Sequence, residues 1–250
     1  MTDQEIFDRA EKFWSQAGIT EPFPRFLERA VAWALPLTVV KLPRLGLLEL
    51  RDWLERRNIF FSLAIPNRRL RACLIARVGH GFIFLDGSDT DDERRFSLAH
   101  ELAHFILDYL DPREKVLDLL GDAAHEILDG QRAPTAEERL RGVLHGVQLT
   151  TYLHLMERTS AGSVKHLQVL DAEDRADRLA LELLAPKEAV LTRLAENGVD
   201  WRSAKVSTLV LETLRQGFGL PEAVAERHGQ MLVMHQQQPN SFRQWLGVKI

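Results

Sequence analysis

The stretch "RRFSLAHELAHFIL", Arg94 to Leu107, holds His100, Glu101 and His104 in the order H-E-x-x-H. On an α-helix, residues four apart nearly align. His100 and His104 would then project from one face, one turn apart, where two imidazoles can share one metal ion. Glu101 would stand about 60° round from His104, beside the ion, where a carboxylate can take a proton from an attacking water. Two readings stay open on this pattern. One is a metal centre. The other is a core helix whose histidines are satisfied by hydrogen bonds, because buried polar groups are costly when unpaired. Phe96, Leu98, Leu102, Phe105, Ile106 and Leu110 surround the motif and predict burial in either case.

A catalytic zinc site takes three protein ligands and leaves one position for water. Cys73 is the single cysteine. It rules out an internal disulfide and a cysteine-based zinc site, so the third ligand must be His, Asp or Glu. The stretch "EDRADRLALELLAP" places Glu173 and Asp177 on the same helical stripe as Ala176, Ala180, Leu183 and Leu184. An inward carboxylate pair four residues apart needs partners. Glu173 could bind the metal, and Asp177 could accept a hydrogen bond from a ligating imidazole and fix its tautomer. The competing reading is that both acids serve the start of a helix, where negative charge favours the macrodipole.

Other candidates carry weaker signals. His154 follows an apolar stripe of Leu140, Leu144 and Val147, which points it inward, either as a satisfied core histidine or as a donor to the transition state. Tyr109 is about 180° from His100 on the helix and faces away. His125 opens "HEILD", an imperfect echo of the motif, and reads as the polar side of an amphipathic helix. Cys73 reads as a plain strand residue.

The elements that must position these residues follow from periodicity. Residues 2–19, 24–35 and "LGLLELRDWLERRN" read as helices. "IFFSLAI", "RLRACLIARV" and "GFIFLDG" read as strands joined by "PNRR" and "GHG" turns, which predicts a small antiparallel sheet. In the second strand Leu70, Ala72, Leu74, Ala76 and Val78 share one face. Arg69, Arg71 and Arg77 share the other, which is expected to be solvated. Thr90 and Glu93 form a capping box ahead of the H-E-x-x-H helix, and Pro112 is expected to close it. Further helices are expected over 113–129, over 135–157 (opened by Thr135 and Glu138), from Asp171 to Pro186, and in the tail with breaks at "ENGVD" and "GFGLP". "GFIFLDG" is the strand nearest in sequence to the active helix. An extended substrate chain is expected to pair along residues 81–86.

The 250 residues are 45% hydrophobic and 27% charged, with a formal net charge of −4. This is an ordinary globular composition, with no electrostatic sign of a nucleic-acid binder. "MTDQEIFDRAEKFW" has no apolar core of a secretory signal, and the apolar stretch "AVAWALPLTVV" is too short to span a bilayer. A cytoplasmic protein without membrane attachment is expected. From Lys187 onward there are eight basic and six acidic residues. The tail is loosely like a helix-turn-helix, but DNA binding by it is not favoured.

"RRFSLAHELAH" followed by "EDRADRLALELLAP" resembles the ImmA/IrrE-type zinc metallopeptidases, a gluzincin-like pattern of H-E-x-x-H plus E-x-x-x-D. Arg95, Phe96, Ala99, His100, Glu101 and His104 match its first part. Glu173, Ala176, Asp177, Ala180, Leu183, Leu184 and Pro186 match its second. Ala103 stands where the usual residue is Gly, and Asp108 where many members carry another His. The interval between the two parts is longer than usual. The resemblance implies an α+β, zincin-like fold: a small sheet beside the H-E-x-x-H helix, with additional helices at both ends. It implies a zinc ion (Zn2+) held by His100, His104 and Glu173, Glu101 as base, and Asp177 orienting a ligating histidine. It also implies a bacterial peptidase that cleaves a helix-turn-helix transcriptional repressor in a stress response. The alternative is a regulatory protein that sequesters such a repressor, as in a toxin–antitoxin-like pair, around a structural or vestigial metal site. The expected organisation is a helical segment 1–56, a metallopeptidase domain 57–186 with a helical insertion 113–165, and a helical segment 187–250.

Overall fold

The computed structural model of the chain describes residues 1–59, 66–121, 124–133, 135–139, 151–158 and 167–237. The predicted strand "IFFSLAI" lies almost wholly outside these residues, as do Leu140, Leu144 and Val147. Two compact units are present. One comprises residues 1–20 and 26–183, the other residues 21–25 and 184–250.

The first unit is α+β. Its elements are α1 (Asp3–Ala17), α2 (Leu27–Ala34), β1 (Leu37–Leu42), α3 (Leu47–Glu55), β2 (Leu70–Arg77), β3 (His80–Asp86) and α4 (Asp91–His104). There follow a π-helical turn (Phe105–Leu110), α5 (Asp111–Leu120), α6 (Ala124–Leu128), β4 (Tyr152–Glu157) and α7 (Leu167–Leu184). The sheet order is β1-β3-β2-β4. β2 and β3 form the expected hairpin. Arg77 pairs with His80 across a two-residue turn in which Val78 and Gly79 both take positive φ. That conformation is strained for a β-branched residue. The Tyr109 hydroxyl accepts a hydrogen bond from the Gly79 N–H at 2.7 Å and braces the turn.

The sheet is mixed rather than antiparallel, because β1 runs parallel to β3, pairing Leu37 with Gly81 through to Leu42 with Asp86. β3 is therefore central, with β1 on one side and β2 on the other. Residues 81–86 have no free edge for a substrate strand, which removes that expectation. β4 corrects another. Residues 152–157 form a strand antiparallel to β2, the last in the sheet among the described residues, not the end of a helix begun at Thr135.

Neither face of β2 is solvated. Ala72, Leu74 and Ala76 are buried on the α4 side. Cys73 and Ile75, on the same face as Arg71 and Arg77, are buried with Leu47, Leu50, Leu54 and Phe84. The reason is α3, whose apolar side covers that face. Arg69 and Arg71, at the start of β2, pair with Asp86 and Glu93 at 3.1 Å each.

Small residues let α4 come close to the sheet. A Cβ at Gly81 would lie 2.7 Å from the Phe105 ring. Glu93 accepts from the Thr90 N–H at 3.3 Å and from its hydroxyl at 3.2 Å, so the predicted box does start the helix. Pro112 does not end it. The chain passes through the π turn, where the Asp111 N–H reaches back to the Ile106 carbonyl, into α5 with Pro112 in its first turn. Pro tolerates that position because its missing N–H is not needed there. α7 begins at Leu167, so Asp171 lies inside it rather than capping it.

In the second unit, α8 (Lys187–Glu196), α9 (Val206–Glu212), a π-helical turn (Thr213–Gly217) and α10 (Glu222–Gln237) are separated at the expected breaks. Val210, Leu214, Phe218, Leu220 and Ala225 are buried. Phe23 packs on Phe218 with ring centres 4.6 Å apart. No helix among the described residues is long and apolar enough to cross a membrane.

Candidate metal centre

Three elements bring the site together. α4 supplies His100, Glu101 and His104, all buried. β4 supplies Tyr152 and His154, on the sheet face that α4 covers: Leu74 pairs with His154 and Ala76 with Tyr152. α7 supplies Glu173 and Asp177, which sit one turn apart.

The two imidazoles of the motif turn their Nε2 atoms toward each other, 3.1 Å apart. Glu173 Oε2 lies 3.4 Å from His100 Nε2. Behind each ring stands a carboxylate. Asp177 Oδ1 is 3.0 Å from His100 Nδ1, and Asp108 Oδ2 is 2.7 Å from His104 Nδ1. This is the arrangement that fixes an imidazole tautomer with Nε2 free for a metal. All six residues singled out from the sequence, His100, Glu101, His104, His154, Glu173 and Asp177, meet here.

His154 enters the site from a strand, not from the helical stripe expected for it. Its Nδ1 lies 2.9 and 3.1 Å from the two Glu101 oxygens, and its Nε2 lies 3.2 Å from Glu173 Oε1. Its ring stacks on His104 with centres 3.8 Å apart. One donor atom from each of His100, His104, His154 and Glu173 lies within 4.8 Å of the other three.

Residues beyond those expected complete the surroundings. Asp108 also accepts from the Tyr152 hydroxyl at 3.3 Å and from Arg175 at 3.3 Å, tying α4, β4 and α7 at one carboxylate. The sequence held a signal for it in the i, i+4 spacing from His104. The far end of β4 is pinned by Arg158, which pairs with Asp86 at 2.8 Å and with Asp89. Asp86 is fully buried and also accepts from the Ser88 N–H and hydroxyl. Burial opposes its ionisation, but the hydrogen bonds from Ser88 and Arg158 hold its carboxyl well below the usual range.

The electrostatics reflect so many ionisable groups in one buried place. Burial works to lower the His100 pKa, yet hydrogen bonds to Asp177 and Glu173 outweigh it and push it up to about 9. Burial likewise opposes a charged His154, but the Glu101 charge and hydrogen bonds to Glu101 and Glu173 raise it to about 10. His104 goes the other way: burial dominates its Asp108 hydrogen bond and lowers it. Hydrogen bonds from His100 and His154 hold the Glu173 carboxyl far below its ordinary value. Without a metal, this charge pattern is an ionic network of imidazoliums and carboxylates. A divalent cation can replace the imidazolium protons.

The nitrogen and oxygen donors, with no thiolate, suit zinc, and the carboxylates behind His100 and His104 are already in place. Cys73 lies outside the donor set. It is buried in β2, and its thiol is pushed well up by burial and then by the Glu101 charge. Tyr109 faces the hairpin turn, and His125 is exposed on α6.

Residues 57–139 match the family model of the IrrE N-terminal-like domain, Peptidase_M78. That stretch contains β2, β3 and the whole of α4. It supports an ImmA/IrrE-type assignment and a metallopeptidase-type function in general. No curated protein and no solved structure matches the chain.

Proposed function

We propose that the chain is a zinc-dependent endopeptidase in which His100, His104 and Glu173 hold the ion and Glu101 is the general base. The observation that carries this reading is the clustering of donor atoms from His100, His104 and Glu173 within 4.8 Å of one another, with a carboxylate at Nδ1 of each motif imidazole. A bound zinc would polarise the scissile carbonyl and acidify water near neutral pH. Glu101, fully buried beside His100 and His104, takes the proton from the attacking water and delivers it to the leaving amine. Asp177 and Asp108 hold the two rings. His154, on the Glu101 side of the centre, can donate to the developing oxyanion once its present partners release it. β4 has one edge on β2 and no strand partner on the other among the described residues, so an extended substrate pairs there, close to Glu101.

The substrate class follows from the resemblance of the two motifs to the ImmA/IrrE-type enzymes: a regulatory protein, foremost a helix-turn-helix repressor, in the cytoplasm of a bacterium. The test is digestion of a proteome-derived peptide library by the zinc-loaded chain, with new N-termini read by mass spectrometry. The wild type is expected to generate a defined set of cleavages that a chelator abolishes and Glu101→Gln lacks. Identical fragment sets from wild type and Glu101→Gln would rule the reading out.

A further inference from the structure

Three histidines, not two, share one pattern in this site. His100 presents Nε2 to the centre with Asp177 at Nδ1, and His104 presents Nε2 with Asp108 at Nδ1. His154 presents Nε2 to Glu173 with both oxygens of Glu101 at Nδ1. A carboxylate behind the ring fixes an imidazole as a ligand through its other nitrogen. His154 shares that pairing of a carboxylate at Nδ1 with an inward Nε2, and to aim Nε2 at the same ion as His104 its ring must tilt out of the 3.8 Å stack on His104.

We infer that His154 is a fourth protein ligand that closes the metal centre in the resting chain, with Glu101 accepting the hydrogen bond of its Nδ1–H. This rests on the reading that the centre binds zinc, and it gives that centre a latent state. Zinc held by four protein groups is saturated, whereas a catalytic site keeps one position open. In the closed arrangement Glu101 is also engaged by the imidazole, so the base and the open position are lost together. Withdrawal of one side chain restores both. His154 suits that part because it comes from the last strand of the sheet among the described residues, while His100 and His104 are fixed on a buried helix. The two ends of β4 differ in their ties. Arg158, just beyond it, is anchored by ion pairs to Asp86 and Asp89, while the Tyr152 hydroxyl at its start makes longer contacts with Asp108 at 3.3 Å and His104 Nδ1 at 3.5 Å. A substrate or partner strand added along β4 would act directly on the element that carries the latch.

The test is X-ray absorption at the zinc edge on the full zinc-loaded chain, which counts imidazole ligands, together with chelator competition for zinc affinity. The wild type is expected to show three imidazoles, and His154→Gln two. The variant should bind zinc about tenfold or more weakly, at least the effect of losing an outer hydrogen-bond partner of a ligand. Two imidazoles in the wild type, with unchanged affinity in His154→Gln, would overturn the proposal and leave His154 as a donor only. The wild-type count decides the matter even if the variant folds poorly. A wild-type chain that takes up no zinc would overturn the metallopeptidase reading itself, a result distinct from a two-imidazole centre.

Discussion

His154 Nδ1 lies 2.9 Å from one oxygen of Glu101 and 3.1 Å from the other, so a strand residue and a helix residue 53 positions apart meet in one bifurcated contact. Glu101 therefore has a partner before any substrate arrives. Glu101→Gln keeps the size and an acceptor oxygen for that contact but removes the base. Metal content should stay at the wild-type level while turnover falls between about a hundredfold and ten-thousandfold. Parallel elemental analysis and peptide hydrolysis read both quantities. Loss of metal in this variant would place Glu101 among the ligands instead.

The carboxylates behind the rings should control affinity rather than chemistry. Asp177→Asn and Asp108→Asn each remove a charged acceptor from one Nδ1. Each should weaken zinc binding by about 10- to 100-fold, measured by competition with a chromogenic chelator. An Asp108→Asn chain with wild-type affinity would mean that Asp108 serves only to tie β4 and α7 to the helix.

The metal-free chain should lose stability toward alkaline pH. His100 and His154 have pKa values raised from 6.5 to about 9 and about 10. Groups raised in the folded state stabilise it fully below their unfolded value and lose that contribution as pH climbs through the folded one. The melting temperature of the chelated chain should therefore fall between about pH 6.5 and pH 10. Zinc should remove this dependence, because bound imidazoles no longer carry the protons. A flat or rising melting temperature for the metal-free chain over that window would contradict the charge network described here.

Packing beneath the site offers a test independent of metal. Gly81→Ala drives a methyl group to 2.7 Å from the fully buried Phe105 ring, just past the second histidine of α4. It should cost about 1–3 kcal/mol of stability, read from urea unfolding. Unchanged stability would show that α4 is not held close to β3 at this point.

The sequence announced the site better than it announced the sheet. His100, Glu101 and His104 were legible because helical periodicity is local. Glu173 and Asp177 were legible because two acids interrupt an apolar stripe. β1 was not. Its six residues lie between Pro36 and Pro43, and its parallel pairing with β3 has no local signature. β4 lacks a local signature for a related reason. "YLHLME" fits a strand or a helix end, and only its pairing with β2 decides between them. Helical spacing points His154 inward, yet the strand register is what places it there. Asp108 departs from the family pattern, and its i, i+4 spacing from His104 is the local signal for their hydrogen bond.

The function of this chain turns on whether this cluster binds a metal ion. Elemental analysis of the purified chain after zinc reconstitution, with His100→Ala as control, answers that. One zinc per wild-type chain is expected, with loss of that zinc in the variant. A folded wild-type chain without stoichiometric zinc, or a His100→Ala chain that retains it, would return the H-E-x-x-H helix to the status of hydrogen-bonded core.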